Sequence, residues 1–185
     1  MRILGFSGSL RQGSYNTMLL QEAIARRTGR CRIRTLYNVD RVAALQRGPR
    51  SRRWTCCGAK TADGDERRGR PRSRTPEYNG SIPGHLKTAI DWASRPTGAG
   101  ALAGKPTAVI GASTGSFGAI RAQDDLRRVL RVAGARVLPD GIAIADASRA
   151  FDDRGRLRRH GLHGHLQELL STLIRECDRD CRLAA

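Results

Sequence analysis

Apolar positions fall in short blocks whose period changes along the chain. Arg2-Ile3-Leu4-Gly5-Phe6 is a mostly apolar run that stops at a Gly/Ser-rich stretch, which predicts a buried strand running into a loop. Residues 15–27 then read as a helix, with Met18, Leu19, Ala23 and Ile24 on one face and Ser14 as its N-cap. Residues 31–37 predict a weak second strand in which Ile33 and Leu36 are the only aliphatic positions. A helix is predicted from about Pro83, with Leu86, Ala89, Ile90 and Trp92-Ala93 apolar, and residues 95–104 form a Pro/Gly/Ala loop. Pro106-Thr107-Ala108-Val109-Ile110-Gly111-Ala112 is a buried strand opening into Ser113-Thr114-Gly115-Ser116-Phe117-Gly118. The helix expected at 119–133 points Ile120, Leu126, Val129 and Leu130 inward. Its wet side carries Arg121, Arg127, Arg128 and Arg131 among Asp124 and Asp125, and Gly134 ends it. Arg136–Leu138 and Gly141–Ile144 form a last strand region, and a final helix covers about 162–176 with Leu166, Leu169, Leu170, Leu173 and Ile174.

Short apolar strands alternating with helices predict a parallel sheet covered on both faces. The 185 residues suit one domain, and a chain of this size buries a core without disulfide or metal staples. The pattern has one gap. Residues 46–74 show neither helical nor strand periodicity.

That gap is also where the charge collects. The chain carries 34 Lys+Arg against 17 Asp+Glu, a formal net charge of +17. Residues 46–74 hold ten of the basic residues and three of the acidic ones, a net +7 that leaves +10 for the other 156 residues. A basic surface attracts phosphate whatever the fold. A charge run is nonetheless ordinarily solvated chain, and Trp54 is the segment's only aromatic, so base stacking has little support. No apolar run reaches the length of about 18 residues that spans a membrane, and the N-terminus lacks the apolar stretch of a signal peptide. The expected compartment is the cytoplasm, with no membrane partner.

In an open α/β sheet, ligands bind beyond the carboxyl ends of the strands, where the strand order reverses. Three loops are predicted at such ends: residues 7–16, 76–81 and 112–118, all rich in Gly, Ser, Thr and Asn. The first leads into a helix N-terminus and offers the hydroxyls of Ser7, Ser9 and Ser14, the Arg11 guanidinium and the Asn16 amide, a donor set suited to phosphate. Its glycines at 5, 8 and 13 match neither the G-x-G-x-x-G fingerprint nor a P-loop. An ordinary strand-to-helix turn also favours Ser and Gly. The second loop, Thr75 to Gly84, contains two prolines and two glycines. It is either a structural turn or a rigid backbone edge for a planar heterocycle.

Gly5-Phe6-Ser7-Gly8-Ser9-Leu10-Arg11-Gln12-Gly13-Ser14-Tyr15-Asn16 resembles the phosphate loop of the NADPH-dependent FMN reductase family, whose members include quinone, chromate and azo-dye reductases. Pro76 to Gly84, with Leu86-Lys87 and Asp91-Trp92 after it, resembles that family's flavin-ring loop and following helix. Gly104-Lys105-Pro106, Gly111-Ala112-Ser113 and Gly118 to Gln123 resemble its fourth strand and the loop beyond. The resemblance covers about residues 1–30 and 75–155. It implies a flavodoxin-like doubly wound parallel sheet of order 2-1-3-4-5, with FMN as cofactor and NADPH or NADH as hydride donor. The partners it implies are a small-molecule electron acceptor and a second or further copies of the chain, as homodimer or homotetramer. By the same resemblance, Ser9, Arg11, Ser14 and Asn16, with Leu10 and Tyr15 among them, hold the FMN phosphate. Pro76, Glu77, Tyr78, Asn79 and Gly80 line the isoalloxazine, and Ser113, Thr114 and Gly115 close its far side. The flavin carries the chemistry, so no side chain is expected as catalytic acid or base. Glu77 is the only carboxylate in these loops and reads as a loop-stabilising acceptor.

The family's central third strand should run directly into residue 75, where the chain instead has Arg68-Gly69-Arg70-Pro71-Arg72-Ser73-Arg74. A proline lacks a ladder donor, and unpaired arginines are costly to desolvate, so strand 3 is disrupted in this sequence. The segment around 40–74 reads as a frameshift. Residues 69–74 can be encoded GGA-CGC-CCT-CGT-TCT-CGC, and one nucleotide later the same bases give Asp-Ala-Leu-Val-Leu, an apolar strand. The rival readings are a real basic insertion on a nucleic-acid-binding α/β protein, and a damaged, inactive paralogue.

The five cysteines suggest no disulfide framework, and Cys177 and Cys181, at i and i+4, read as free thiols near a frayed terminus. His160, His163 and His165 read as a solvated loop. No metal site is expected from either group.

Overall fold

A computed structural model describes residues 2–9, 13–26, 32–36, 55–57, 79–158 and 160–183. The chain runs β1 (Arg2–Phe6), α1 (Tyr15–Ala25), β2 (Arg32–Leu36), β3 (Thr55–Cys57), α2 (Gly84–Ala93), β4 (Pro106–Ala112), α3 (Ile120–Val132), β5 (Arg136–Ile144), α4 (Ala147–Ala150) and α5 (His160–Leu183). The five strands form one sheet in the order β2-β1-β3-β4-β5, and every pairing is parallel. This is the flavodoxin-like order that the loop motifs implied.

The central place is filled from an unexpected part of the chain. Thr55-Cys56-Cys57, inside the aperiodic basic segment, pairs with Ile3–Gly5 on one side and Thr107–Ala108 on the other. These three residues follow Trp54 as the segment's uncharged stretch, and a central strand excludes charge. Residues 58–78, where the family's third strand was expected to end, lie outside the described residues.

β4 shows why the sheet is covered twice. All seven of its residues are buried, and successive side chains of a strand point to opposite faces. Ala108, Ile110 and Ala112 pack with Ile3, Leu19, Ala23, Leu166, Leu170 and Leu173, so α1 and α5 cover that face. Val109 packs with Leu86, Ala89, Ile90, Leu126 and Leu130, which places α2 and α3 on the other.

Several outward residues differ from the sequence expectation. Trp92 is 58% exposed because the buried stripe of α2 is Leu86, Ala89, Ile90 and Ala93. Ile120 is 47% exposed, whereas Ala122, Gln123, Leu126 and Leu130 are buried. Ile120 instead shares the face of Asp124, Arg127 and Arg131, which lines an open hollow beside Pro139, Gly141 and Ala143 of β5. Arg127, expected on the wet side, has only 13% of its side chain exposed. It lies over Gly141, where an added Cβ would run into its terminal nitrogen.

The last helix is longer than its aliphatic stripe suggested. It begins at His160 and so includes all three histidines. His163 donates from Nε2 to the Leu157 carbonyl at 2.8 Å and meets His160 edge-on. Cys177 is a buried core residue whose Sγ contacts the Leu173 carbonyl, not a thiol on a frayed end. Among the described residues no group of His, Cys, Asp and Glu could hold a metal, and no helix is long and apolar enough to cross a membrane.

Candidate functional site

The three Gly/Ser-rich loops lie at the carboxyl ends of β1 and β4 and at the entrance to α2, and side chains reaching across the fold tie them to their neighbours. In the first loop Ser7, Ser9 and Ser14 are all buried. The Ser9 amide donates to Ser7 Oγ at 3.2 Å, and Ser7 Oγ lies 3.3 Å from Thr17 Oγ1. Ser14 occupies the N-cap position of α1 but makes no side-chain cap bond there. The first turn of α1 contains no acidic residue, so the positive end of the helix dipole is not offset by a carboxylate. A loop of buried hydroxyls leading into such a terminus fits a bound phosphate.

Two residues expected at the phosphate are committed elsewhere by their side chains. Asn16 donates from Nδ2 to the Ala112 carbonyl at 2.9 Å and accepts the Ala112 amide on Oδ1 at 2.8 Å. The Asn16 amide thus satisfies both backbone groups of Ala112 at the end of β4. Tyr15 stacks on Phe151, with ring centroids 5.8 Å apart, and packs against the α1/α5 core. Of the other members of this loop, Leu10 and Arg11 lie outside the described residues.

In the second loop Pro76, Glu77 and Tyr78 also lie outside them. Asn79 and Gly80 follow with φ of +51° and +79°, consecutive left-handed residues of the kind that an Asn-Gly pair accommodates. Ser81 then donates from Oγ to Asp125 Oδ2 of α3 at 2.5 Å. That hydroxyl, followed by the Arg128 guanidinium, holds the Asp125 carboxyl below its ordinary range. In the first turn of α2, His85 donates from Nε2 to the carbonyl of Gly8 in the first loop at 2.5 Å. A carbonyl only accepts, so the proton is on Nε2.

The third loop is the most enclosed. Ser113 is fully buried, its amide donates to the Ile144 carbonyl at 2.9 Å, and its Oγ accepts the Gly115 amide at 3.0 Å. Asp146 and Ala147 return amides to the carbonyls of Gly115 and Ser113. Gly118 has φ +56°, and an added Cβ would lie 2.8 Å from the Ala143 backbone carbon. Thr114 and Gly115 are half-buried at the loop's tip.

The loops are thus anchored across the fold: first to third through Asn16 and Ala112, first to the start of α2 through Gly8 and His85, and second to α3 through Ser81 and Asp125. Sequence reasoning had singled out neither His85 nor Asp125 for a role at the loops. Each carries an ordinary helical residue's signal, and each partner lies far away along the chain.

The model of the NADPH-dependent FMN reductase family matches residues 74–149. An NAD(P)H-dependent FMN reductase of Pseudomonas aeruginosa is 41% identical over 182 residues, which cover 94% of this chain and 93% of that protein. A 2-hydroxy-1,4-benzoquinone reductase of a Burkholderia species is 58% identical over 55 residues, 30% of either chain. Among solved structures, the flavoenzyme NAD(P)H:(acceptor) oxidoreductase FerB of Paracoccus denitrificans superposes with a TM-score of 0.69 at 27% identity, over 96% of this chain and 97% of that one.

Proposed function

The chain belongs to the NADPH-dependent FMN reductase family, and on that premise we propose that it binds FMN across its three loops and reduces quinones with NADPH or NADH. The observation that carries this reading is the first loop, where Ser7, Ser9 and Ser14 are buried at the acid-free N-terminus of α1. Those hydroxyls and the terminal amides of α1 hold the phosphate, assisted by Arg11. Pro76 to Gly80 line one edge of the ring, and Ser113 to Gly115 close the opposite side. When bound, FMN supplies the hydride acceptor and the electron relay. The protein binds, orients and shields it, and no side chain serves as acid or base.

Asn16 acts at one remove. Its amide joins α1 to the end of β4, fixing the first loop against the third, so the distance between the phosphate and the far side of the ring is set by a side chain that touches neither. A quinone is favoured as acceptor over free flavin, azo compounds and metal oxyanions because the Burkholderia relative is named for a benzoquinone. The enzyme works in the cytoplasm as a homodimer or homotetramer.

The test is steady-state oxidation of NADPH by the FMN-loaded protein with a benzoquinone as acceptor. Parallel reciprocal plots, the sign of two half-reactions on one bound cofactor, support the proposal. Quinone-independent NADPH consumption at the same rate overturns the choice of acceptor. A protein that stays colourless after FMN is added, yet binds DNA with a steep salt dependence, supports the basic-insertion reading instead.

A further inference from the structure

We propose that His85 is a positioning residue for the phosphate loop, acting by pinning the Gly8–Ser9 peptide. The inference rests on the flavin reading given above. The peptide between Gly8 and Ser9 is held at both ends. Its carbonyl accepts from His85 Nε2 on α2, and its amide donates to Ser7 Oγ, which lies against Thr17 of α1. In a trans peptide the carbonyl and amide point in opposite directions, so two bonds from opposite sides stop the plane from turning. Ser9, a buried hydroxyl of the phosphate loop, hangs from that plane.

The direction of the pin matters as much as its existence. With its oxygen drawn to α2, the Gly8 carbonyl keeps its negative end away from the head of α1, where an anion is favoured by the helix terminus. Released, the flanking Gly8 has the backbone freedom to let the plane rotate, and an oxygen turned into the loop would repel a phosphate. His85 reaches across 77 residues to do this, from the helix that follows the flavin-ring loop.

The prediction is selective. Losing the pin weakens the hold on the phosphate and not the contacts to the ring. FMN and riboflavin differ only by that phosphate, so their affinities separate the two effects. Apo-protein is titrated with each flavin by fluorescence quenching, for the wild type, His85→Ala, His85→Phe and His85→Gln. His85→Ala and His85→Phe should each weaken FMN binding about tenfold and leave riboflavin binding within about twofold. His85→Gln, whose amide can donate from a similar reach, should restore most of the FMN affinity. His85→Phe keeps the ring volume, so the contrast survives if His85→Ala folds poorly. Equal FMN affinity in all four proteins overturns the proposal and leaves the flavin site standing. Equal loss for both flavins overturns it as well, because His85 would then support the whole site. A wild type that binds neither flavin removes the flavin reading itself, and the proposal falls with it.

Discussion

Asn16 and Ala112 are joined by a reciprocal pair of buried hydrogen bonds, the amide of one closing on the backbone of the other across 96 residues of sequence. The pair fastens the start of α1 to the end of β4, the two places from which the first and third loops depart. Asn16→Ala leaves a buried N–H and a buried C=O of Ala112 unsatisfied, each of which costs about 1–3 kcal/mol. A loss of about 2–6 kcal/mol in urea unfolding is expected. A change of under about 0.5 kcal/mol, the range of ordinary surface substitutions, would show that the pair is not a staple.

Gly118 and Gly164 should respond to the same substitution with opposite signs. Gly118 has φ +56° and no room for a Cβ against the Ala143 backbone, so Gly118→Ala should destabilise by about 1–3 kcal/mol. Gly164 lies inside α5 with nothing within 4 Å of an added Cβ, so Gly164→Ala should stabilise by about 0.5–1 kcal/mol. Thermal melting of the two variants checks the contrast, and a shift in the same direction for both contradicts it.

Asp125 gives the second loop a pH dependence. Its carboxyl is lowered first by the Ser81 hydroxyl and next by Arg128. A carboxylate whose folded value is depressed adds stability above its unfolded value of about 3.9, and that stability is lost as pH falls through the lowered folded value. Wild type should therefore be more stable than Asp125→Asn near pH 7, with the gap closing below about pH 4. The group is partly solvated, so the gap is small. Unfolding midpoints at the two pH values measure it, and a gap that persists undiminished in acid argues against the carboxylate as its source.

We propose, from the sequence alone, that a shifted reading frame underlies residues 40–74, where an Arg-rich run stands in place of an apolar strand. The family model begins to match at residue 74, the last residue of the basic run. Resequencing the gene should find compensating single-nucleotide changes, one within about codons 35–50 and one near codon 75. One uninterrupted frame that encodes these arginines would end the attribution.

What the sequence made legible follows from range. β4 was readable because seven consecutive residues are buried on both faces, and Gly134 marked the end of α3 through its φ of +90°. The rotation of α3 about its own axis was not readable. Ile120 lies on the same outward face as Arg127, whose guanidinium is largely covered because Gly141, on another strand, leaves room for it. Thr55-Cys56-Cys57 gave too short a run for any period to show, in a stretch dominated by charge. At the site, the loops were readable from their Gly and Ser content, whereas the bonds that hold them together were not. His85 and Gly8, or Asn16 and Ala112, become neighbours only once the sheet has formed.

The most direct test is the visible spectrum of the purified protein with one equivalent of FMN, before and after anaerobic addition of NADPH. A protein-bound flavin that survives gel filtration and is bleached by NADPH is the predicted result. A protein that elutes colourless, with free FMN trailing behind it, would contradict the assignment of the three loops as a flavin site.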